Sequence, residues 1–315
     1  MTHSIAVDFG GTNIRAAYFS EPEPRPETQV KIPTMAEQGP DVVIDRLVSA
    51  VQDVMPADPA GIRVGIGSPG PLDPVEGIIF KAPNLIGWTD IPLKPLLEER
   101  LDCEVFLGND ANVAALGEWK FGAGRGSAHM IYLTISTGIG GGVVVNDQLL
   151  LGSRGLAAEL GHITVQPDGA QCGCGIHGHI EAIASGTAIA RRAMTAVQDG
   201  AETDLKAIFE TNGQITAAEV GAAAEAGDEF ALSLITTAGT LIGHLLSDLA
   251  HIFNTQTFVL GGGVAQVGAL LFDPIGESFG NHLMDPAYGE GVEILPAALG
   301  DDAGLVGAMV LATQP

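Results

Sequence analysis

The sequence predicts an α/β protein built from two related halves, and three features of the chain lead to that reading. A strand, a glycine turn and a returning strand occupy residues 4–20 and recur at residues 130–145, so the same plan opens each half. Between and after them, apolar runs of strand length alternate with segments of helical period, the pattern of parallel strands joined by crossover helices. A chain of 315 residues also exceeds what one core usually organises, which makes two domains the expectation.

The first strand, residues 4–9, carries Asp8 immediately before the turn Gly10-Gly11-Thr12, and the chain returns over 13–20. Backbone N–H groups exposed at such a tip can cradle phosphate oxygens, and glycine permits the close approach. Asp8 at the strand end can hold Mg²⁺, directly or through water. A proline-rich loop at 21–26 leads to a strand at 29–33. Ile44, Leu47, Val48, Val51 and Met55 recur at helical spacing over 41–55. Residues 63–68 form a strand running into a Pro/Gly turn, and 84–88 form a loop with Asn84 near Trp88. That pair suits a sugar contact, or equally a turn whose tryptophan is anchored in the core.

A strand at 104–108 ends in Asn109 and Asp110, and 111–121 is helical. Asp110 therefore stands where a strand gives way to a helix, the place where open α/β sheets bind ligands. A helix cap is the plainer use of an Asn-Asp pair there. The second hairpin turns through Ser136, Thr137, Gly138, Ile139 and Gly140 and returns over 143–145. Two such cradles, if opposed, can clamp a triphosphate from both sides. Later come helices over 181–197, 216–226 and 228–253, strands at 257–260 and 293–296, and a closing helix over 302–312. The strand at 257–260 exits through Gly261-Gly262-Gly263, whose open backbone can pass beneath a flat group such as adenine. The apolar run 230–253 is broken by His244, Asp248 and His251, so it reads as a core helix and not a membrane span.

Residues 159–181 concentrate chemistry that the rest of the chain lacks: two of the three cysteines with three histidines and two glutamates. Thiolates paired with imidazoles suit Zn²⁺. The natural ligand set is His162, Cys172, Cys174 and His179, with His177 as the alternative to His179. Four protein ligands leave no open position, so the metal is structural. The plain alternative is a glycine-rich loop with unligated thiols. Glu159 and Glu181 bracket the loop, and fixing the metal would fix both acids.

Composition bounds the partners. The formal net charge of −24 repels nucleic acid and anionic membrane surfaces, so neither is an expected partner. Three cysteines make no disulfide framework. The chain starts directly in a strand, without the pattern of a signal peptide, so a soluble cytoplasmic protein is expected.

Taken together, V-D-F-G-G-T-N-I-R, G-S-P-G-P-L-D, P-N-L-I-G-W, G-N-D-A-N-V-A-A-L-G-E, S-T-G-I-G-G-G, E-L-G-H, C-G-C-G-I-H-G-H-I-E-A-I-A-S-G and V-L-G-G-G-V-A resemble the ROK family of bacterial sugar kinases. That family belongs to the actin-like/hexokinase/Hsp70 ATPase superfamily, and the glucokinases are the subset most resembled. The resemblance implies a two-lobed actin-like ATPase (ribonuclease H-like) fold with nucleotide and sugar in the interlobe cleft. The lobes expected are 1–112 plus 302–315, and 113–301 with the zinc loop and a helical block. It implies Asp110 as catalytic base, and Asn84, Asn109, Glu159, His162 and Glu181 as sugar-hydroxyl contacts alongside Asp110. Asp8, Gly10, Gly11, Thr12, Thr137, Gly138 and Gly140 match the phosphate-binding turns, and Gly262 and Gly263 the adenosine turn. The implied reaction is phosphorylation of the 6-hydroxyl of an aldohexose, glucose first, by ATP with Mg²⁺. N-acetylhexosamine, mannose or fructose stand as alternative sugars, polyphosphate as an alternative donor, and a non-catalytic sugar sensor as the rival outside the enzymes. A homodimer or larger homo-oligomer is expected, both by resemblance and from the high apolar content. Two departures stand out: His179 replaces the last cysteine of the family's zinc loop, and Ser136 replaces a glycine common before T-G-I-G-G-G. Family members that bind DNA carry a helix-turn-helix ahead of the first hairpin, for which seven residues before Asp8 leave no room.

Overall fold

The computed structural model describes residues 3–21, 23–82 and 85–314. Asn84, expected near a sugar, lies outside the described residues. The chain divides into two compact units: Met1–Ala128 with Gly142–Ala158 and Ala298–Pro315, and His129–Gly141 with Glu159–Ala297.

The first unit is built on a five-stranded sheet in the order β3-β2-β1-β4-β8. Its strands are β1 (Ser4–Phe9), β2 (Asn13–Phe19), β3 (Thr28–Pro33), β4 (Arg63–Ser68) and β8 (Glu104–Asn109). β1 pairs antiparallel with β2 and parallel with β4, so the opening hairpin joins a parallel core as the alternating pattern predicts. Helix α1 (Pro40–Asp53) buries Val43, Ile44, Leu47 and Val51 against that sheet's core of Ile5, Val7, Phe9, Val64 and Ile66. Trp88 is 1% exposed, its ring 5.2 Å from that of Phe9, so of its two readings the core anchor holds. A small sheet of β5 (Leu72–Asp73), β6 (Ile78–Lys81) and β7 (Thr89–Ile91), and helix α2 (Leu93–Leu101), have no counterpart in the sequence reading. Strands of two to four residues are too short to show a period.

Helices α3 (Asp110–Phe121) and α10 (Ala303–Thr313) pack at backbone contact. A Cβ on Gly307 would lie 1.7 Å from the Val113 carbonyl oxygen, and one on Gly65 of β4 would lie 1.9 Å from that of Ala308. Fully buried Glu118 completes the joint, its carboxylate accepting from the N–H groups of Leu299 at 2.7 Å, Ala123 at 2.9 Å and Ala298 at 3.1 Å. Where the sequence reading divides the chain at 112, this packing keeps the whole of α3 in the first unit.

A second five-stranded sheet runs in the order β11-β10-β9-β12-β13. Its strands are β9 (Met130–Ile135), β10 (Ile139–Val145), β11 (Gln148–Leu149), β12 (Thr257–Gly261) and β13 (Glu293–Pro296). β10 starts inside the glycine run, earlier than residue 143. The helix expected over 181–197 is two, α4 (Glu181–Ala184) and α5 (Gly186–Gln198). Ser185 is extended between them, capping α5 through the Ala188 N–H, while Gly186 donates to the Ser136 carbonyl at 2.7 Å. Then follow α6 (Leu205–Asn212), α7 (Ala217–Glu225), α8 (Glu229–Phe253) and α9 (Ala269–His282). The sequence reading lacks α6, which is short, and α9, whose interior Pro274 hides it. By length and hydropathy α8 passes as a membrane span. Its apolar face is instead buried, and Gly243 lets the backbones meet, since a Cβ there would come 2.3 Å from the Ile275 carbonyl of α9.

Gly307→Ala forces a side chain into the α3 backbone, and overpacking of that kind costs roughly 3 kcal/mol. Denaturant unfolding should show that loss without a change in m-value; a stability equal to the parent's would mean that the two helices separate freely.

Candidate active site and metal cluster

In the first unit, β1 and β2 close through Gly10, whose N–H donates to the Asn13 carbonyl at 2.9 Å. Thr34 fastens the turn from β3's end, its hydroxyl donating to the Gly10 carbonyl at 2.6 Å and its N–H to the Thr12 carbonyl at 2.8 Å. Among the described residues, the backbone N–H groups of Gly11 and Thr12 have no hydrogen-bond acceptor, and such a pair is what a phosphate cradle requires. A cavity of about 710 Å³ opens beside them, lined also by Asp8, Arg15, Lys31, Asp301 and Asp302. Asp8 leans on the first turn of α10, where a Cβ on Gly304 would lie 3.2 Å from its carboxyl. Burial raises the Asp8 pKa above the ordinary carboxylate value, with Asp301 and Asp302 adding to the rise and Arg15 opposing it. Arg15, Lys31, Asp301 and Asp302 were not singled out in the sequence. The strand register, which sets all of β1, β2 and β3 in phase, is the signal that could have found the two cations.

Asn109 and Asp110 divide the two roles that the sequence left open. Asn109 is the cap: its side-chain oxygen accepts from Ala111 N–H at 3.0 Å and Asn112 N–H at 3.3 Å, and its amide donates to Gly70. Asp110 is the first residue of α3, exposed, with one carboxylate oxygen accepting from Ala111 N–H at 2.8 Å. Capping by its neighbour leaves Asp110 at the mouth of the helix, where a carboxylate is favoured by the dipole.

In the second unit, the turn between β9 and β10 is held from two sides. The Ser136 N–H donates to the Gly138 carbonyl at 2.9 Å, and the Thr187 N–H of α5 to the Thr137 carbonyl at 3.3 Å. Glu181 binds the turn from below: its Oε2 accepts from the Ile139 N–H at 3.0 Å. A Cβ on Gly138 would sit 2.5 Å from that oxygen, so glycine is needed for the carboxylate to reach. Gly140 lies in β10 itself. Gly262, at φ 86°, packs on the end of β9, and a Cβ there would be 2.3 Å from the Ile135 carbonyl; Gly263 beside it is open. Glu159 is exposed and precedes a single helical turn, while Gly161 in that turn packs on β10 with no room for a side chain.

The ligating atoms of His162, Cys172 and His179 all lie within 4.8 Å of one another. Cys174 joins through its Sγ, 3.3 Å from His179 Nδ1, and the rings of His162 and His179 stack with centroids 5.1 Å apart. His177 is elsewhere, its Nδ1 at 3.0 Å from the Gly169 carbonyl, so His179 is the imidazole that meets the cysteines. Gly178 makes the loop possible: at φ 81°, a Cβ on it would lie 1.8 Å from the Gln166 carbonyl. Burial and the neighbouring His162 lower the His179 pKa, which keeps the ring neutral and its lone pair available. Burial first, then Cys174 and the Glu181 charge, push the Cys172 thiol up to about 11. A dication among these groups reverses that, since coordination takes the thiolate. His162, Cys172 and His179 form the group whose donor atoms lie close enough to share one ion, and Cys174 touches that group through His179. Thiol and imidazole are the donor types that Zn²⁺ takes.

A raised pKa at Asp8 means that the folded chain holds that proton more tightly than the unfolded chain. The contribution of Asp8 to stability is therefore intact below the ordinary carboxylate range and is lost as pH rises through the raised value. In Mg²⁺-free buffer, Asp8→Asn should melt above the parent at neutral pH, with the gap closing toward acid. Thermal unfolding across pH 3–8 checks this, and a gap independent of pH would contradict it.

Comparison with known proteins extends over the whole chain. The family model of the ROK family matches residues 4–315. The glucokinase of Halalkalibacterium halodurans is 38% identical, over 98% of this chain and 94% of its own length. The glucokinase of Thermotoga maritima is 38% identical over 96% of this chain and 95% of its own. Among solved structures, a ROK family glucokinase from Streptomyces griseus in complex with glucose and AMPPNP is 36% identical. It superimposes with a TM-score of 0.84, covering 99% of this chain and all of that one.

Proposed function

The chain belongs to the ROK family, and from that premise we propose that it is an ATP-dependent glucokinase, transferring the terminal phosphoryl group of ATP to the 6-hydroxyl of glucose. The observation that carries this is likeness to glucokinases over nearly the whole chain, in sequence and in fold. Phosphoryl transfer requires mainly positioning and charge stabilisation, and each conspicuous feature of the chain serves one of these.

On this reading Asp110 accepts the proton of the attacking hydroxyl. Its carboxylate is exposed at the start of α3, where Asn109 takes the capping duty. Asn109, Glu159 and His162 hydrogen-bond sugar hydroxyls, ionised carboxylates being the strong acceptors for them. Glu181 has its two oxygens near the Ile139 N–H and the Cys172 thiol, so its part in sugar binding is joined to holding the glycine turn in place. The N–H groups of Gly11 and Thr12 receive phosphate oxygens, as do those of the Thr137–Gly138 turn, and Gly262 and Gly263 pass beneath the adenosine. Asp8 fits a divalent cation, being a carboxylate enclosed beside the free N–H groups of a glycine turn; Mg²⁺ there would neutralise phosphate charge. Zn²⁺ would be held by His162, Cys172, Cys174 and His179 and would lock the loop that carries Glu159 and Glu181, with no part in the reaction. The protein works on this reading in the cytoplasm, as a homo-oligomer of two-lobed subunits.

Asp110→Asn should leave a folded protein that binds glucose and turns over roughly 10²-fold more slowly or worse. A coupled ADP-release assay measures it, and near-parental turnover would take Asp110 out of the role. Elemental analysis should find about one zinc per chain; chelation or Cys172→Ser should then raise the glucose KM much more than the ATP KM, because small displacements of positioning groups cost alignment before they cost the fold. Metal-free protein with unchanged glucose KM would reduce the cluster to a hydrogen-bonded loop.

A further inference from the structure

The cavity beside the first glycine turn contains a charge that the reading above does not use. In the register of the first sheet, Asp8 of β1 stands opposite Arg15 of β2, and Arg15 stands opposite Lys31 of β3. Residues directly opposite one another project to the same face. A carboxylate, a guanidinium and an ammonium thus form a row across one face, and all three line the cavity with Gly10, Gly11 and Thr12. Two strand spacings put the lysine's backbone roughly 10 Å from that of Asp8.

The two cations are not equivalent. Arg15 is committed to the segment before α10: it donates to the Asp301 carbonyl at 2.6 Å and pairs with the Asp302 carboxylate. Lys31 is exposed and, among the described residues, has no salt bridge and no side-chain hydrogen bond; it acts here only as a distant charge on Asp8. The cavity wall carries the carboxylates of Asp8, Asp301 and Asp302 in a chain of net charge −24 with only 14 lysines and arginines. A phosphate chain entering it meets like charge on three side chains. The uncommitted cation on that wall is the one side chain able to offset this without breaking a bond already made.

Resting on the kinase reading, we propose that Lys31 binds the phosphate chain of the phosphoryl donor, its ammonium pairing with non-bridging oxygens while the glycine-turn N–H groups hold the others. ATP and inorganic polyphosphate present the same chemistry to it. Lysine on an edge strand also serves to deter pairing with other chains, and β3 is an edge strand; that role alone predicts no effect on nucleotide.

The test compares the parent with Lys31→Met and Lys31→Arg at low ionic strength, where a solvent-facing charge is least screened. Lys31→Met should raise the MgATP KM about 10-fold, the scale of one hydrogen bond to a charged group, with glucose KM and kcat within about twofold. Lys31→Arg should recover most of the loss, and affinity for adenosine, which has no phosphates, should not change. The same variants run with inorganic polyphosphate separate the donors: a rise with polyphosphate alone assigns the lysine to that donor and still supports phosphate-chain binding. Unchanged KM for both donors, in a variant that melts with the parent, overturns the proposal and leaves Lys31 as an edge-strand charge. If the parent phosphorylates no sugar, the kinase reading is what fails; equilibrium binding of MgADP against adenosine to parent and Lys31→Met then decides the lysine's role by itself.

Discussion

A carboxylate can bind the backbone of a tight turn only where no side chain stands between them, and the second unit is arranged around one such approach. Glu181 reaches the Ile139 N–H because Gly138 has no Cβ, and its other oxygen lies 3.5 Å from the Cys172 thiol. One side chain therefore spans the phosphate-type turn and the cysteine cluster. Ser185 ends the short helix that carries Glu181, and the next residue bonds back to the same turn through Ser136. Disturbance of the cysteine loop would reach the turn through this carboxylate, since the three groups share hydrogen bonds and not merely proximity.

The first unit solves a comparable problem with backbone instead of charge. Gly65 and Gly307 let α10 lie against β4 and α3 at distances that no side chain would tolerate, and Gly304 sets its first turn close against Asp8. The closing helix thereby brings Asp301 and Asp302 to the cavity that Asp8 and the glycine turn define. Their negative charge and the burial of Asp8 both oppose its ionisation, and Arg15 is the compensating group. A cation and a phosphate arriving together, the pair that a kinase brings, would satisfy both these carboxylates and the open N–H groups.

Much of the fold was legible because the signals are local. The hairpin at Gly10–Gly11, the strands at Arg63–Ser68 and Met130–Ile135, and the long helix α8 each declare themselves by period and by turn residues within a short window. α9 carries a proline in its interior, and the small sheet of β5, β6 and β7 has strands too short for any period, so neither could be seen. The break at Ser185 is a tertiary decision: a continuous helical period was overridden by the bond from Gly186 to Ser136, whose partner lies far along the chain.

The candidate site divides in the same way. Residue chemistry alone singled out Asp8, Asp110 and the cysteine stretch as candidates: a carboxylate beside a glycine turn, an acid at a strand-to-helix junction, and thiols among histidines. Tertiary structure decided which of His177 and His179 meets the cysteines, because a loop folding back on Gly178 turns one ring inward and the other toward Gly169. It also decided that Arg15 is committed and Lys31 free. That distinction depends on strand register and on a helix nearly three hundred residues along the chain, and no local pattern of residues encodes a contact whose partner is so distant.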